Sequence, residues 1–260
     1  MHRFFVESDQ ISEQSIIIYG EDFKHITKVL RLGKDDVIEV CDGKGTDYRV
    51  TLNAPGDQTI AGSIKEQYPS QGENPELAIT LFQGLPKGTK MEVIIQKCVE
   101  LGVVEIVPFS SMRAVSQIKD KKDKKIERWQ RIAYEAAKQS KRGIIPTIKE
   151  PQTLKALLEK AADYDLFLLA YEDENKRSLK SVLLDYEKKN LSNNEANIEF
   201  NFEFNEVIKV GVIIGPEGGF DPQEVESCQA AGIISVSLGK RILRTETAGM
   251  VVLSQLNFWK

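Results

Sequence analysis

The chain has 260 residues, of which 41% are hydrophobic and 28% charged, and its formal net charge is −4. This composition is typical of a globular protein, and no apolar run is long enough for a transmembrane helix. The first residues, MHRFFVESDQ, lack the apolar segment and cleavage site of a secretory signal, so we expect a cytoplasmic protein. The acidic balance argues against a general nucleic-acid binder.

Positive charge is nevertheless concentrated in three clusters, at residues 119–128, 138–142 and 240–244. A solvated helix face is the simpler interpretation of the first cluster. The three clusters leave open the possibility of local binding to phosphate groups.

No metal site is predicted. The cysteines Cys41, Cys98 and Cys228 are widely spaced and form no CxxC pair, so we expect them to be buried as small hydrophobic residues. His2 and His25 have no cluster of further ligands around them.

The first part of the chain, to about residue 64, has the pattern of short β-strands. Apolar stretches alternate with turn signals such as Asp42–Gly45 and Pro55–Asp57. One helix is expected around Glu21–Leu32. We therefore predict a small β-barrel at residues 1–68, followed by a polar linker rich in proline and glycine.

From Leu77 the pattern changes to strands that alternate with amphipathic helices, which indicates an α/β domain with a mostly parallel sheet at residues 75–260. Two helix starts have the capping-box form, at Thr89 and at Asp221, and glycines follow these helices at Gly102 and Gly232. No function is predicted for the asparagine-rich insertion at 190–206. The predicted strands are 78–83, 103–109, 165–171, 207–215 and 234–239.

Three turns that follow predicted strands are candidate ligand sites, namely 170–172, 215–219 and 239–248. In an open α/β sheet, ligands bind beyond the carboxyl ends of the strands. Each turn alone also has a structural explanation, and GPEGG at 215–219 has neither the dinucleotide nor the phosphate-loop fingerprint. We expect the three turns to meet at one end of the sheet, which is what makes a ligand site plausible.

Two of these turns carry a specific resemblance. IGPEGGF at 214–220 and SLGKRILRTETA at 237–248 resemble the carboxyl-terminal motifs of the SPOUT methyltransferases. Further segments, at 2–5, 25–32, 87–103 and 128–142, fit the pattern of one SPOUT family, the RsmE family. The resemblance therefore covers both predicted domains.

Membership of this family implies S-adenosylmethionine-dependent methylation of N3 of a specific uridine in 16S ribosomal RNA, within the small ribosomal subunit. The fold implied is a PUA-like β-barrel followed by a SPOUT domain with a trefoil knot within about 207–260. The knot is implied by resemblance alone, since chains ordinarily avoid threading loops. SPOUT enzymes are characteristically homodimers.

The resemblance also suggests roles for residues of the site. Arg244 is the first catalytic candidate, as a cation beside a uracil oxygen or a phosphate, and Glu246 is a weaker candidate for the proton acceptor. A helix-start carboxylate that braces the loop is the alternative for Glu246. Cofactor contacts are expected from Tyr171, Glu172, Ile214, Gly215, Pro216, Glu217, Gly218, Gly219, Leu238, Gly239, Ile242, Leu243, Thr245 and Ala248. RNA contacts are expected from Arg3, His25, Lys28 and Arg31 in the first domain, and from Lys87, Arg113, Lys138 and Arg142 in the second.

Three alternatives stay open at this point. The chain could be a non-catalytic RNA-binding or ribosome-assembly protein of the same fold. It could be an enzyme that acts on a nucleotide-like metabolite, with GPEGG as an anion-binding turn. It could also be a SPOUT methyltransferase with another RNA target, because fold analogy does not specify the substrate.

Overall fold

The structure, a computed structural model, describes residues 1–113, 122–194 and 207–260. Part of the first basic cluster and most of the asparagine-rich insertion lie outside these residues. The backbone packs as two compact units. The first contains Met1–Glu73 and Tyr134–Ile145, and the second contains Asn74–Ala133 and Pro146–Lys260.

The first unit is built on a five-stranded sheet that confirms the predicted β structure. The strands are β1 (Arg3–Phe5), β2 (Ser15–Tyr19), β3 (Val37–Cys41), β4 (Thr46–Leu52) and β5 (Thr59–Pro69). Their order is β1-β3-β4-β5-β2, antiparallel except between β1 and β3. Both predicted turns connect neighbouring strands. Alternate apolar side chains, such as Ile16 and Ile18 on β2, point into one core.

The helix predicted at 21–32 is confirmed, but it is shorter. It begins as the α-helix α1 (Gly20–Lys24) and continues as a π-helical turn over His25–Val29. Its buried residue Ile26 joins the core of the sheet. The helix thus packs against the sheet through Ile26 and leaves Lys24, His25 and Lys28 exposed.

A buried ion pair joins the edge strand β1 to the central strand β4 of this sheet. Arg3 donates to both carboxylate oxygens of Asp47 at 2.8 Å and to the carbonyl oxygen of Arg142 at 2.9 Å. The Arg3 and Asp47 side chains are only 7% and 3% exposed. Such a bidentate pair is strongly oriented, and removal of one partner would leave a buried unpaired charge.

The segment 142–144 is fixed in the first unit by one carboxylate. Glu73 accepts hydrogen bonds from the buried guanidinium of Arg142 and from the backbone amides of Gly143 and Ile144. Glu73 precedes the second unit in the chain, and Arg142 follows the helix Lys122–Gln139. Two segments that are far apart in sequence are therefore held together by one charged group.

The second unit has a parallel sheet with helices on both faces, which confirms the predicted α/β fold class. Its strand order is β12-β10-β11-β6-β7-β8, with β9 paired to β7. The strands are β6 (Leu77–Gly84), β7 (Val103–Ser110), β8 (Thr147–Ile148), β9 (Gln152–Thr153), β10 (Leu166–Ala170), β11 (Ile208–Ile214) and β12 (Ile234–Val236). The helices are α2 (Lys90–Glu100), α3 (Lys122–Gln139), α4 (Leu154–Leu158), α5 (Leu179–Asn194), α6 (Pro222–Ala230) and α7 (Thr245–Trp259). The residues of α3 from Tyr134 onward belong to the first unit.

Successive residues of β6 point to opposite faces of this sheet. Leu81 lies near Cys98 of α2 and Gly249 of α7, whereas Phe82 joins a core cluster with Leu157 of α4 and residues of α6. The near-continuous apolar sequence of β6 is thereby explained, because both of its faces are covered. In the three described ranges, no helix combines the length and the apolar character needed to cross a membrane.

One of the two predicted capping boxes forms. At Asp221 the side chain accepts from the Gln223 amide, and the Glu224 side chain accepts from the Asp221 amide. At Thr89 the prediction is wrong, because its backbone is not extended (φ −96°, ψ 4°) and its hydroxyl caps nothing. The Glu92 carboxylate binds Arg128 at 2.8 Å instead.

The cysteines are buried and free, as expected. Burial raises the pKa of the Cys98 thiol to about 12 and that of Cys41 to about 11. Thiols with such pKa values stay protonated at neutral pH, so they are poor nucleophiles and poor metal ligands.

The buried pair Arg3–Asp47 gives a stability prediction. Arg3→Gln should lower the free energy of unfolding of the first unit by about 3 kcal/mol, because Asp47 would remain buried without its partner. Hydrogen exchange of the β3 and β4 amides under increasing denaturant measures this. Tryptophan fluorescence would not, because Trp129 and Trp259 both lie in the second unit.

The matched control is Arg49→Gln in the same sheet. Arg49 pairs with Glu66 at 2.8 Å, but these side chains are 44% and 54% exposed. Its loss should change the free energy of unfolding by less than about 1 kcal/mol. Equal effects of the two substitutions would contradict a special role for the buried pair.

Candidate functional site

The register of the parallel sheet brings the ends of four strands to one level. Ala170, the last residue of β10, pairs with Ile214 of β11 and with Val236 of β12. Ile214 in turn pairs with Gln83 of β6. The turns that follow these strands therefore start side by side, as the sequence predicts.

A cavity of about 420 Å³ lies between these turns. Its volume falls within the range of roughly 300–1,000 Å³ that is usual for small-molecule sites. Of the predicted cofactor residues, all but Gly218 line it. The lining also includes Lys90, Ala170, Ser237, Lys240, Arg241 and Arg244.

Glycine is required at particular points of the cavity wall. Gly219 has a φ of +67°, and a Cβ atom there would collide with the Glu172 carboxylate. Gly239 has a φ of +117°, which L-residues rarely adopt. These two residues let the backbone approach the cavity closely from the turns 215–219 and 238–244.

Gly218 occupies a different place from the one predicted. A Cβ atom there would lie 3.0 Å from the carbonyl oxygen of Arg113, so Gly218 packs against that backbone and not against the cavity. The sequence could not distinguish it from Gly219, because the two glycines are adjacent and only the fold determines which one faces the cavity.

The acidic residue of GPEGG anchors its own turn. Glu217 accepts a hydrogen bond from the Lys90 ammonium at 2.8 Å and from the Lys87 amide at 3.1 Å. Desolvation acts to raise the pKa of Glu217, but the hydrogen bonds from Lys90 and Lys87 outweigh it and lower the pKa. The carboxylate is therefore ionised at neutral pH, and it ties the turn 215–219 to the segment before α2.

Cations with no ion-pair partner among the described residues stand at the edge of the cavity. Lys240, Arg241 and Arg244 are exposed, and none of them forms an ion pair in this part of the chain. Ile242, between them, is 86% exposed. This segment presents a positive surface beside the cavity, which suits a partner that carries phosphate groups.

The two catalytic candidates lie in different surroundings. Arg244 is the N-cap residue of α7, and its carbonyl oxygen accepts from the amides of Thr247 and Ala248, which fixes the backbone while the side chain stays exposed. Glu246 lies in the first turn of α7 and does not line the cavity. Its Oε2 atom is buried without a hydrogen-bond partner. The cavity thus contains the predicted cation but not the predicted base.

Two of the predicted RNA contacts need correction. Arg3 and Arg142 are buried and bind carboxylates, Arg3 with Asp47 and Arg142 with Glu73, so neither guanidinium is presented to a ligand. Sequence alone does not separate a buried arginine from an exposed one when the acidic partner is distant in the chain. Arg142 and Lys138 also belong to the first unit, whereas the sequence placed them in the second domain.

The other RNA candidates are more accessible. His25, Lys28 and Arg31 are exposed on or just after the π-helical turn, and Lys87 and Arg113 are exposed in the second unit. Lys138 is intermediate, since its ammonium binds Asp22 at 3.3 Å and lies over the Phe4 ring. The exposed residues are the ones that can still meet phosphate.

Sequence reasoning missed Gln83, Lys90 and the cavity-lining cations Lys240 and Arg241. Gln83 had a visible signal, because it is a polar residue at the end of an otherwise apolar strand that is buried on both faces. Lys240 and Arg241 lie in the basic cluster at 240–244, for which phosphate binding was left open, but neither residue was assigned to the site. Lys90 had no signal, since its ion pair spans a long stretch of sequence.

Two family models match the chain. A family model described as the RNA methyltransferase domain matches residues 73–257, and one described as the RNA methyltransferase PUA domain matches residues 18–65. All three cavity turns, at 170–172, 215–219 and 238–244, and the whole parallel sheet fall within the first match.

Relatives that match almost the whole of this chain share one name. Proteins named ribosomal RNA small subunit methyltransferase E from Bacillus subtilis and from Synechocystis are 34% and 35% identical. The alignments cover 99% and 98% of this chain and 96% and 77% of those proteins. A crystal structure of the Neisseria gonorrhoeae protein of that name, bound to S-adenosyl methionine, is 27% identical with a TM-score of 0.78, over 99% of this chain and 97% of that one. The protein therefore belongs to the RNA methyltransferase family of the ribosomal RNA small subunit methyltransferase E proteins.

Proposed function

We propose that this protein transfers a methyl group from S-adenosylmethionine to N3 of a uridine in the 16S RNA of the small ribosomal subunit. The observation that carries the proposal is the cavity between the turns 170–172, 215–219 and 238–244. The names of the relatives support a small-subunit ribosomal RNA as substrate. The choice of uridine N3 comes from the motif resemblance.

The cavity suits the cofactor in size and in the chemistry of its wall. Its volume of about 420 Å³ is adequate for a nucleoside with an amino-acid side chain. Backbone at Gly219 and Gly239 can approach an adenine or a ribose without a Cβ atom in the way. Tyr171, Leu238 and Ile214 add apolar and aromatic surface for the base.

S-adenosylmethionine supplies a methyl group that is already activated by its sulfonium centre. The chain must place the uracil in line with this group and exclude water from it. N3 of uracil carries a proton near neutral pH, and its loss leaves negative charge on N3 and on the carbonyl oxygens O2 and O4. Arg244 lines the cavity, is exposed and has no ion pair among the described residues, so its guanidinium can stabilise that charge.

Glu246 is the weaker of the two catalytic candidates. It lies one helical position from the cavity-lining Thr245, and its buried oxygen lacks a partner. It is the acidic residue in the first turn of α7, close to the positive end of the helix dipole. We propose it as the proton acceptor only in a bound state in which the uracil reaches it, and as a brace for α7 otherwise.

RNA would be held by exposed cations of both units. Lys240, Arg241, Lys87 and Arg113 belong to the second unit, and His25, Lys28 and Arg31 to the first. Their proposed role is to neutralise phosphates, which positions the RNA without reading its sequence.

Several features of the proposal come from the family. They are a PUA-like RNA-binding domain at residues 1–68, a SPOUT domain at 75–260 with a trefoil knot within about 207–260, a homodimer, and a cytoplasmic location. The highly exposed apolar residue Phe258, at the end of α7, suits burial against a second subunit.

The role of Arg244 gives a kinetic prediction. Arg244→Ala should lower the single-turnover rate of methyl transfer by about 100-fold at saturating cofactor and RNA, because the developing negative charge loses its counterion. Arg244→Lys should retain part of the rate, since a charge remains without the fork geometry. The assay is the appearance of N3-methyluridine by mass spectrometry, with small-subunit RNA from a strain that lacks the gene. An unchanged rate for Arg244→Ala would refute the assignment.

The positive surface gives a binding prediction. Replacing Lys240 and Arg241 together by Gln should weaken binding to the small-subunit RNA and reduce the salt dependence of log Kd by about one to two units, because fewer phosphates are neutralised. Filter binding over a series of salt concentrations measures both. The charge-matched control replaces Lys97 and Lys149, which bind Glu100 and Glu105 and do not line the cavity. Equal salt slopes for the two double variants would contradict the prediction.

A further inference from the structure

Beneath the cavity, a relay of hydrogen bonds joins three separate segments of the chain. Gln83, near the end of β6, is fully buried and donates from Nε2 to the Thr245 hydroxyl at 2.9 Å. The Thr245 hydroxyl donates to the carbonyl oxygen of Gly215 at 2.6 Å. The relay therefore connects β6, the turn after β11 and the first residue of α7.

The direction of this relay is fixed by its ends. Gln83 Nε2 also donates to the carbonyl oxygen of Gly84 at 3.0 Å, so the opposite orientation of the amide would set two oxygens against each other. Thr245 must accept from the amide, and its single proton is then directed to Gly215. The relay therefore runs in one direction, from Gln83 through the Thr245 hydroxyl to the Gly215 carbonyl oxygen.

The side chain of Gln83 is not fully satisfied in this position. Its Oε1 atom is buried and has no hydrogen-bond partner. An unpaired buried acceptor costs about 1–3 kcal/mol, so an apolar residue of similar shape would suit the fold of β6 at least as well. An apolar residue could not donate the two hydrogen bonds that Gln83 Nε2 makes to Thr245 and Gly84.

The relay acts on the cavity without being part of its wall. Gly215 and Thr245 line the cavity, and Gln83 does not. Gly215 begins the turn 215–219, and Thr245 follows the turn 238–244. The hydrogen bond between them sets the distance between the two turns that would enclose the cofactor.

We propose that Gln83 is a positioning residue for the methyl-donor pocket, because through Thr245 it holds the Gly215 carbonyl and so fixes the separation of the turns 215–219 and 238–244. The proposal rests on the proposed function. It assigns a role in cofactor affinity to a residue that touches neither the cofactor nor the RNA.

The test uses variants that keep shape and remove hydrogen bonds. Gln83→Met keeps the length of the side chain and removes its donors, and Thr245→Val removes the hydroxyl. Each should weaken S-adenosylmethionine binding by about tenfold in titration calorimetry. Thr245→Ser keeps the relay and should bind within about threefold of the wild type. The double variant should bind no more weakly than the single variants, because one break already opens the relay.

A control and a stability measurement separate positioning from folding. Ser235 is also fully buried and accepts from Gln229 at 3.0 Å, but it does not line the cavity, so Ser235→Ala should leave the affinity unchanged. Gln83→Met should unfold near the wild-type temperature, since the unpaired acceptor is removed with the donor. If Thr245→Val does not fold, Gln83→Met carries the test alone.

The outcomes distinguish this proposal from the proposed function. If the wild type, Gln83→Met and Thr245→Val all bind S-adenosylmethionine with equal affinity, the positioning role is overturned and the proposed function stands. No binding by the wild type overturns both. Weaker binding by Gln83→Met and Thr245→Val, together with near-normal binding by Thr245→Ser, supports the relay.

Discussion

The alignment of four parallel strands is the constraint on which the site depends. Hydrogen bonding in the sheet pairs Ala170 with Ile214 and Val236, and Ile214 with Gln83. A shift of one residue in any of these pairs would turn side chains to the other face of the sheet and displace the turn that follows. Because both faces are covered by helices, such a shift would place large and small side chains against the wrong neighbours in both packed layers. The packing of the core thus keeps the cavity turns in place.

Charge is used differently in the interior and at the cavity edge. Arg3 and Arg142 are buried, and acidic partners neutralise them, so these charges serve the fold of the first unit. Lys240, Arg241 and Arg244 are exposed and have no ion pair in the described residues, so their charge is available to a ligand. A net charge of −4 is therefore compatible with RNA binding, since a surface of a few cations suffices to contact phosphate.

Periodicity and turn chemistry were enough to predict the α/β class, the β-rich first unit and the meeting of the turns 215–219 and 239–248. They did not predict contacts between distant segments. The Glu73 carboxylate that fixes Arg142, and the Arg128 side chain that binds Glu92 at the start of α2, are set by packing and leave no local pattern. The same limit applies within a motif, where only the fold shows that Gly219 faces the cavity and Gly218 faces Arg113.

The central claim is that the turns at the carboxyl edge of the parallel sheet form the binding site for the methyl donor. The most direct measurement is a crystal structure of this chain grown with S-adenosylmethionine. We predict that the adenosine lies between the turns 215–219 and 238–244 and that the sulfonium of the cofactor is directed toward Arg244. Density for the ligand at any other place, with this cavity filled by solvent, would contradict the account.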